Sequence, residues 1–364
     1  MSNSVRIGVI GLGSVSEKYV PHIHRVNLDG ATCEIVVGCD LRADRAERAR
    51  DWGIPDFTTD YREVLARGDV DVVLILTSMQ SHGKLTRDAL NAGKHVLVEK
   101  PMSMDLADAA ELLALSKTSK GHLVCAPHVT LSRTFQDMWR HIHQGDIGRP
   151  LTARGFYGWS GPDWDPSYYE PGGGPMFDLG VYNVMTLTGL LGPCKRVMAM
   201  TGIAIPERSV NDKPIKARTE DNFQLLMDFG GQCFAVVTTG FTIQQYDVPG
   251  IEVYGTEGSI TMKAEDWDPK GYRLWRNKDG FWQDHNQRSR WQWTDGVRDL
   301  IEAIQEGRNP VNGPEHAYHV LEVMVKSMES GRTGQALPIL STFTPVRFDE
   351  SRGDTAPHLE HAPE

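Results

Sequence analysis

The sequence has few features of a membrane, secreted or nucleic-acid-binding protein. No apolar run approaches the ~20 residues that a membrane-spanning helix requires. The first residues, MSNS, pass directly into VRIGVIGLG without the basic region and apolar core of a secretory signal, so we expect a cytoplasmic protein. The net charge of −10 and the lack of a basic cluster argue against a nucleic-acid partner, because phosphate binding needs a basic surface.

Cysteine is also scarce. The five cysteines are odd in number, scattered, and contain no CxxC pair, which argues against a disulfide framework and against a zinc site. Histidine pairs two residues apart point in different directions on a helix and make poor ligand sets. We therefore expect reduced, buried cysteines and no metal.

At 364 residues, the chain is long enough for two domains. Its first third alternates Val/Ile-rich runs with amphipathic segments, which predicts a parallel sheet with crossover helices. From 195 to 262 several strands follow one another with hairpin turns, which predicts an antiparallel sheet. The expected division is a dinucleotide-binding domain at 1–126, a substrate-binding α/β domain at 127–341 and a polar tail at 342–364.

The stretch GLGSVS, after the first strand, is typical of a phosphate-binding turn. Gly11 and Gly13 permit a tight turn and let a pyrophosphate approach the helix N-terminus, beside Ser14 and Val15. At the end of the second strand, Asp40 can accept hydrogen bonds from ribose hydroxyls and would repel a 2′-phosphate. This favours NAD, whereas Arg42 could receive that phosphate and leaves NADP open.

The run VLVEKPMS ends a buried strand on two charges and a proline. Charges are costly to bury unless they are paired or used, and proline ends the strand ladder. Ligands of open α/β sheets bind beyond the carboxyl ends of the strands, where Lys100 lies. An ammonium there would stabilise a developing alkoxide and lower the pKa of a neighbouring acid.

A second group of residues follows three consecutive glycines in the stretch FDLGVYN. Asp178 and Tyr182 are four residues apart, so both point to one face of a helix. A phenol with a reference pKa of ~10 needs a nearby cation to act at neutral pH, and Lys100 could supply it. The alternative is that the pair only caps and packs the helix.

The loop from Trp159 to Tyr169 is rich in aromatic residues and carboxylates. Trp159 and Trp164 could stack on the C–H faces of a sugar or polyol, although the loop could equally be packing at a domain seam. His128 and Arg133 follow the last strand of the first domain. Their position suggests substrate contact, with a buried structural histidine as the alternative.

These motifs together resemble the Gfo/Idh/MocA oxidoreductases, the family of glucose–fructose oxidoreductase and inositol dehydrogenase. The most specific match is the segment from SH through AGKHVLVEKP, with further matches in GGGPMFDLGVYNV and YGTEGSI. The resemblance implies a Rossmann domain followed by an α/β domain with an open, mainly antiparallel sheet. It also implies a homodimer or homotetramer through that sheet.

For the site, the resemblance implies that Glu99 and Lys100 lie beside the nicotinamide, with Lys100 catalytic and often a cis peptide before Pro101. Many relatives have His where this chain has Tyr182. The cofactor side would also include the loop after the strand DVVLIL, namely Thr77, Ser78 and His82.

The sequence therefore predicts an NAD(P)-dependent dehydrogenase or reductase that acts on a hydroxyl or carbonyl carbon of a sugar or polyol. Two alternatives remain at this point. One is an NAD-dependent glycosidase in which oxidation is transient, and the other is an NAD-binding regulator without catalysis.

Overall fold

The computed structural model describes residues 4–28, 30–287 and 291–348. In these residues the N-terminal part forms a six-stranded sheet in the order β3-β2-β1-β4-β5-β6, with every neighbouring pair parallel. The strands are β1 (Val5–Ile10), β2 (Cys33–Cys39), β3 (Asp56–Thr58), β4 (Val72–Ile75), β5 (His95–Val98) and β6 (Leu123–Cys125). The order reverses between β1 and β4, which is where open parallel sheets bind ligands.

Helices cover both faces of this sheet. They are α1 (Ser16–Leu28), α2 (Arg45–Asp51), α3 (Tyr61–Ala66), α4 (His82–Asn91) and α5 (Leu106–Ser116), joined from later in the chain by α8 (Gly296–Glu306). Side chains on α8, including Leu300 and Ile301, share one core cluster with Val9 and Leu74 of the strands. Burial on both faces explains why the strands are continuously apolar rather than alternating.

The C-terminal part forms a nine-stranded sheet among the described residues, in the order β16-β15-β14-β13-β7-β12-β11-β8-β17. Neighbours are antiparallel except for β7 and β12, which run parallel. A separate hairpin pairs β9 with β10. The strands are β7 (Pro150–Gly158), β8 (Arg196–Gly202), β9 (Glu207–Val210), β10 (Lys213–Lys216), β11 (Asn222–Gly230), β12 (Cys233–Gly240), β13 (Ile251–Gly255), β14 (Gly258–Met262), β15 (Gly271–Arg276), β16 (Trp282–Asn286) and β17 (Leu337–Pro338).

One face of the C-terminal sheet is covered by α6 (Arg133–His143), α7 (Val181–Leu191) and α9 (Pro314–Thr333). The other face is open, and apolar side chains occupy part of it. Leu226 is paired with Met198 on one side and Val236 on the other, so these three form a row across β8, β11 and β12. Leu226 is 51% exposed and Met198 is 43% exposed.

None of the helices in the described ranges is long and apolar enough to cross a membrane. The proposed domain boundary at residue 126 stays a prediction, although the last strand of the first sheet ends at Cys125. Most of the proposed polar tail at 342–364 lies outside the described residues.

Candidate active site

A cleft of about 990 Å³ runs from the carboxyl ends of the parallel strands to the C-terminal sheet. Strands β7, β12 and β14 run in the same direction, because β13 is antiparallel to both β7 and β14. The cleft is lined by residues just after the ends of these three strands and of β1, β2, β4 and β5. In both sheets, therefore, the loops that follow the strands line the same cleft.

The glycine turn forms the cleft wall between β1 and α1. Gly11 has φ +97°, and a Cβ there would lie 2.5 Å from the main-chain oxygen of Leu76. A Cβ on Gly13 would meet no described atom within 4 Å, so the glycine leaves the backbone accessible from the cleft. Ser16, at the third motif position, donates from Oγ to the Gly13 carbonyl at 2.6 Å and ties the turn to the helix.

Asp40 lines the cleft at the end of β2, and its orientation is fixed by the backbone. Its two carboxylate oxygens accept from the amides of Leu12 and Arg42, each at 2.9 Å. The Arg42 guanidinium instead forms an exposed ion pair with Asp44 and does not line the cleft in the described residues. The prediction that Arg42 belongs to the site is therefore not supported by its position, because Asp44 holds the guanidinium outside.

These features fit a dinucleotide. The turn presents accessible backbone at the start of a helix, where N–H groups favour a pyrophosphate. The neighbouring carboxylate is suited to accept from ribose hydroxyls. Ser14 and Val15 on the turn and Thr77 and Ser78 after β4 line the same part of the cleft. Their contact with the cofactor stays a prediction.

His82 also borders the cleft but is 1% exposed. Its Nδ1 lies 2.7 Å from the Pro101 carbonyl and its Nε2 lies 3.1 Å from the Thr77 carbonyl. Burial lowers the pKa of His82, against the effect of these two carbonyls. The ring therefore links the loop after β4 to the loop after β5.

The peptide bond between Lys100 and Pro101 is cis, as the resemblance implies. Glu99 is 5% exposed, and its carboxylate accepts from the Tyr19 hydroxyl at 2.7 Å and from the Lys100 amide at 3.1 Å. Buried carboxylates need such partners. The Glu99 carboxylate thus fixes the backbone from which the Lys100 side chain projects.

Lys100, Asp178 and Tyr182 meet where the two sheets face each other. The Lys100 ammonium donates to Asp178 Oδ1 at 2.8 Å and to the Asp178 carbonyl at 2.9 Å. It also lies 5.5 Å from the centroid of the Tyr182 ring. Burial opposes the charge on Lys100, but Asp178 and then Tyr182 outweigh it and raise the pKa of Lys100 above its ordinary value.

The pKa of Tyr182 differs from the one expected from the sequence. Burial raises the pKa of Tyr182 above its ordinary value, and Lys100 only partly opposes this. The expectation that Lys100 would bring the phenol towards neutral pH is therefore wrong for this structure, and the group is a neutral phenol. Among the described residues, its hydroxyl makes no hydrogen bond, so it is free to bond a ligand.

The local backbone explains how Asp178 and Tyr182 both reach Lys100. Asp178 lies in a π-helical segment, Met176–Gly180, which continues into α7. Short π-helical segments are rare and occur frequently at functional sites. The regular helix predicted from Asp178 is thus replaced at its start by a wider turn.

A buried carboxyl supports α7 one residue beyond Tyr182. Asp266 is fully buried, and its Oδ2 accepts from Asn183 Nδ2 at 3.1 Å and from Thr186 Oγ1 at 2.9 Å. Its Oδ1 and Asn183 Oδ1 are both buried without a partner in the described part of the chain. Burial raises the pKa of Asp266 to about 7, against the effect of the Thr186 and Asn183 bonds.

The part of the cleft beyond Lys100 is aromatic, and we call it the aromatic half. Trp159 and Trp164 both line it, with ring centroids 5.5 Å apart. Other lining residues escaped the sequence reasoning: Tyr157, Gln245, Tyr246, Glu265 and Trp267, with Tyr168 and Asp165 from the loop already noted. A signal for one of them was present, because the tetrapeptide DWDP occurs at 163–166 and again at 266–269, and the Trp of each copy lines the cleft.

Two predicted substrate contacts do not lie in this cleft among the described residues. His128 is fully buried and packs against Gly296 at the start of α8. Burial lowers the pKa of its ring to about 4. Arg133 has a half-exposed side chain paired with Asp137 on α6 at 2.9 Å. Both follow the last strand of the first sheet, but His128 packs against the start of α8 and Arg133 begins α6. No group of three candidate metal ligands occurs in the described ranges.

Comparison with known proteins identifies the family. Residues 5–126 match the model of the oxidoreductase family with an NAD-binding Rossmann fold, and residues 135–261 match the GFO/IDH/MocA C-terminal domain. The chain belongs to the Gfo/Idh/MocA family. It is therefore an oxidoreductase, and NAD is the cofactor of its N-terminal fold.

Named relatives of this Gfo/Idh/MocA protein include two bacterial enzymes. The 1,5-anhydro-D-fructose reductase of Ensifer adhaerens is 30% identical over 283 residues, which cover 76% of this chain and 81% of that protein. The scyllo-inositol 2-dehydrogenase (NAD(+)) of Bacillus subtilis is 28% identical over 71% of this chain and 74% of its own. The solved structure of levoglucosan dehydrogenase with NADH and levoglucosan shares the fold, with a TM-score of 0.83 and 20% identity over 93% of this chain and 100% of that one.

Proposed function

We propose that this protein is an NAD-dependent dehydrogenase or reductase that transfers a hydride between nicotinamide and a hydroxyl-bearing carbon of a sugar or polyol. The observation that carries the proposal is the meeting of Lys100, Asp178 and Tyr182 between the glycine turn and the aromatic half of the cleft. The names of the relatives, which act on an anhydro sugar and an inositol, support the same substrate class.

The dinucleotide supplies the hydride donor or acceptor when it is bound. Gly11 and Gly13 accommodate its pyrophosphate, and Asp40 binds its adenosine ribose. The Lys100 ammonium, oriented by Asp178, polarises the reacting oxygen and stabilises the negative charge that develops on it.

Tyr182 moves the proton. Its phenol is neutral because of burial, so in the direction of reduction it donates a proton to the developing alkoxide. In the direction of oxidation the same oxygen accepts the proton of the substrate hydroxyl only as the phenolate, so Tyr182 must first release its own proton to solvent. Asp178 holds the ammonium in place and accepts from substrate hydroxyls with the carboxylate oxygen that Lys100 does not occupy.

A panel of aldoses, polyols and anhydro sugars, followed by NADH absorbance in both directions, tests the proposal. We expect at least one neutral sugar or polyol to give a stoichiometric change in NADH. Turnover of a glycoside without net NADH would instead indicate the glycosidase alternative. Absence of any turnover, with retained NADH binding, would indicate a regulator.

We also propose that the protein is a homo-oligomer that associates through the open face of the C-terminal sheet. The row of Met198, Leu226 and Val236, together with Met200 at 78% exposure, is an apolar surface on adjacent strands, and such patches mark association sites. Leu226→Glu should shift the mass measured by light scattering towards the monomer. Leu28→Glu, at an 86% exposed position on α1, is the control and should leave the mass unchanged.

The proposed location is the cytoplasm. All five cysteines are buried and none forms a disulfide, which supports a reducing compartment.

A further inference from the structure

The charged residues that line the cleft are unevenly distributed. The half of the cleft formed by the N-terminal sheet contains both signs of charge, with Lys18 on α1 and Lys84 on α4 as well as the carboxylates of Asp40 and Glu99. The aromatic half is lined by two carboxylates, Asp165 and Glu265, and by no lysine or arginine among the described residues. Lys100, at the junction, is already neutralised by Asp178.

Within the described residues, the side chain of each of these two carboxylates accepts one hydrogen bond. Asp165 Oδ1 accepts from the Ser167 amide at 2.9 Å, and Glu265 Oε1 accepts from the Tyr246 hydroxyl at 3.1 Å. Neither forms an ion pair in the described part of the chain, so their negative charges are uncompensated. The second oxygen of each remains able to accept from a ligand hydroxyl.

Proteins that bind carboxylates or phosphates use arginine forks or lysine ammonium groups at the anion. The aromatic half offers none, and two carboxylates in a partly enclosed cleft repel a further anion. Neutral hydroxyl groups, by contrast, can donate to these oxygens, while the tryptophan rings pack against apolar C–H faces.

From this geometry we infer that Asp165 and Glu265 are specificity-determining residues that restrict the substrate to an uncharged polyhydroxylated compound and exclude sugars carrying a carboxylate or a phosphate. The inference rests on the proposed function, since it concerns the substrate of the same site. The inference goes beyond the proposed function, because a site for hydride transfer could also accept sugar acids and sugar phosphates.

The test compares matched pairs of compounds. Glucose is compared with glucuronate and glucose 6-phosphate, and myo-inositol with its monophosphate, together with any neutral sugar that the panel identifies and its acid. For each pair we expect kcat/KM to favour the neutral member by about 10- to 100-fold at low salt. The preference should narrow as ionic strength rises, because salt screens partly exposed charges.

Two isosteric variants test whether Asp165 and Glu265 cause the preference for neutral compounds. Glu265→Gln and Asp165→Asn keep an acceptor oxygen but remove the charge, so each should narrow the neutral-to-anionic ratio several-fold. Asp163→Asn removes an equal charge two residues away at a position that does not line the cleft, and it should leave the ratio unchanged. Because the readout is a ratio within one variant, a partial loss of active protein does not affect it.

Equilibrium binding of the same pairs to the NADH complex, followed by tryptophan fluorescence, separates this inference from the proposed function. If no compound changes NADH absorbance but the neutral members bind more tightly, the proposed hydride transfer is wrong and the charge selection stands. If anionic members bind or react as well as their neutral counterparts, the inference is overturned. It is also overturned if both charge-removing variants keep the wild-type ratio.

Discussion

The ammonium of Lys100 contacts Asp178 twice, at the carboxylate and at the main-chain carbonyl, with distances of 2.8 and 2.9 Å. Both acceptors belong to one residue of the π-helical segment, so the position of the ammonium depends on the backbone there as well as on its own strand. An ammonium has three donors, and no residue in the described ranges accepts from the third, which remains for a ligand.

Lys100→Met retains most of the aliphatic side chain and removes the charge. We expect kcat to fall about 100- to 1000-fold, the usual effect of losing one electrostatic contact to the transition state. NADH binding, measured by fluorescence, should change little. Lys270→Met, which removes a surface lysine paired with Asp268, is the control. A near-normal kcat in Lys100→Met would exclude a catalytic role.

Cofactor choice should follow Asp40 rather than Arg42. Because Asp40 is fixed on the cleft wall by two backbone amides, a 2′-phosphate would meet a carboxylate, and kcat/KM should favour NAD over NADP by about tenfold or more. Asp40→Asn keeps an acceptor oxygen and should narrow this preference, whereas Arg42→Ala should leave it unchanged. A wild-type preference for NADP would contradict the assignment.

Tyr182→Phe removes only the phenolic oxygen. If the phenol donates the proton during reduction, kcat in that direction should fall about 100- to 10,000-fold, with NADH affinity retained. The wild-type rate of reduction should also decline at high pH as the phenol ionises, as one member of a unit coupled to Lys100. That alkaline decline should be absent in the variant. Equal rates and equal pH profiles would leave Tyr182 with a packing role.

Asp266 gives a prediction about stability. Its pKa in the folded protein is about 7, above the ordinary value of 3.8, so its contribution to stability is fully present below pH ~4 and is lost as pH rises through 7. Asp266→Asn cannot ionise. The stability of the variant relative to wild type should therefore increase from pH 5 to pH 8, by about 2–3 kcal/mol.

Thermal unfolding of both proteins at pH 5, 6.5 and 8 checks this. Asp268→Asn, in the same segment but outside the core, is the control and should follow the wild-type pH dependence. A relative stability of Asp266→Asn that is flat or falls between pH 5 and pH 8 would contradict the raised pKa.

The parts of the site that sequence reasoning found are those with short-range signals. The glycine turn, the EKP stretch and the spacing of Asp178 and Tyr182 are each fixed within a few residues, and the structure brings them to one cleft. Two models of the family, one for each part of the chain, match the sequence and confirm the fold class.

The missed residues depend on pairing between distant strands. Tyr246 and Glu265 reach the cleft only because β12 and β14 run in the same direction as β7, which local patterns do not reveal. The predicted substrate contact of His128 was not found in the cleft for a related reason. The ring packs against Gly296, which begins a helix far along the chain. Similarly, burial raises the pKa of Tyr182 more than Lys100 lowers it, and the depth of burial cannot be read from the motif.

Because of the π-helical segment, the arrangement of Lys100, Asp178 and Tyr182 depends on the number of residues in that segment as well as on their identity. Such a turn contains one residue more than an α-helical turn, so deleting Leu179 or Gly180, which lie between Asp178 and Tyr182, would allow a regular helix to form. Every side chain before the deletion would then rotate by about 100° relative to those after it. Asp178 and Tyr182 could both be retained in such a deletion variant and still not face Lys100 together. Aligned sequences with a one-residue gap here should therefore be treated as having a different active centre, even when all three residues are present.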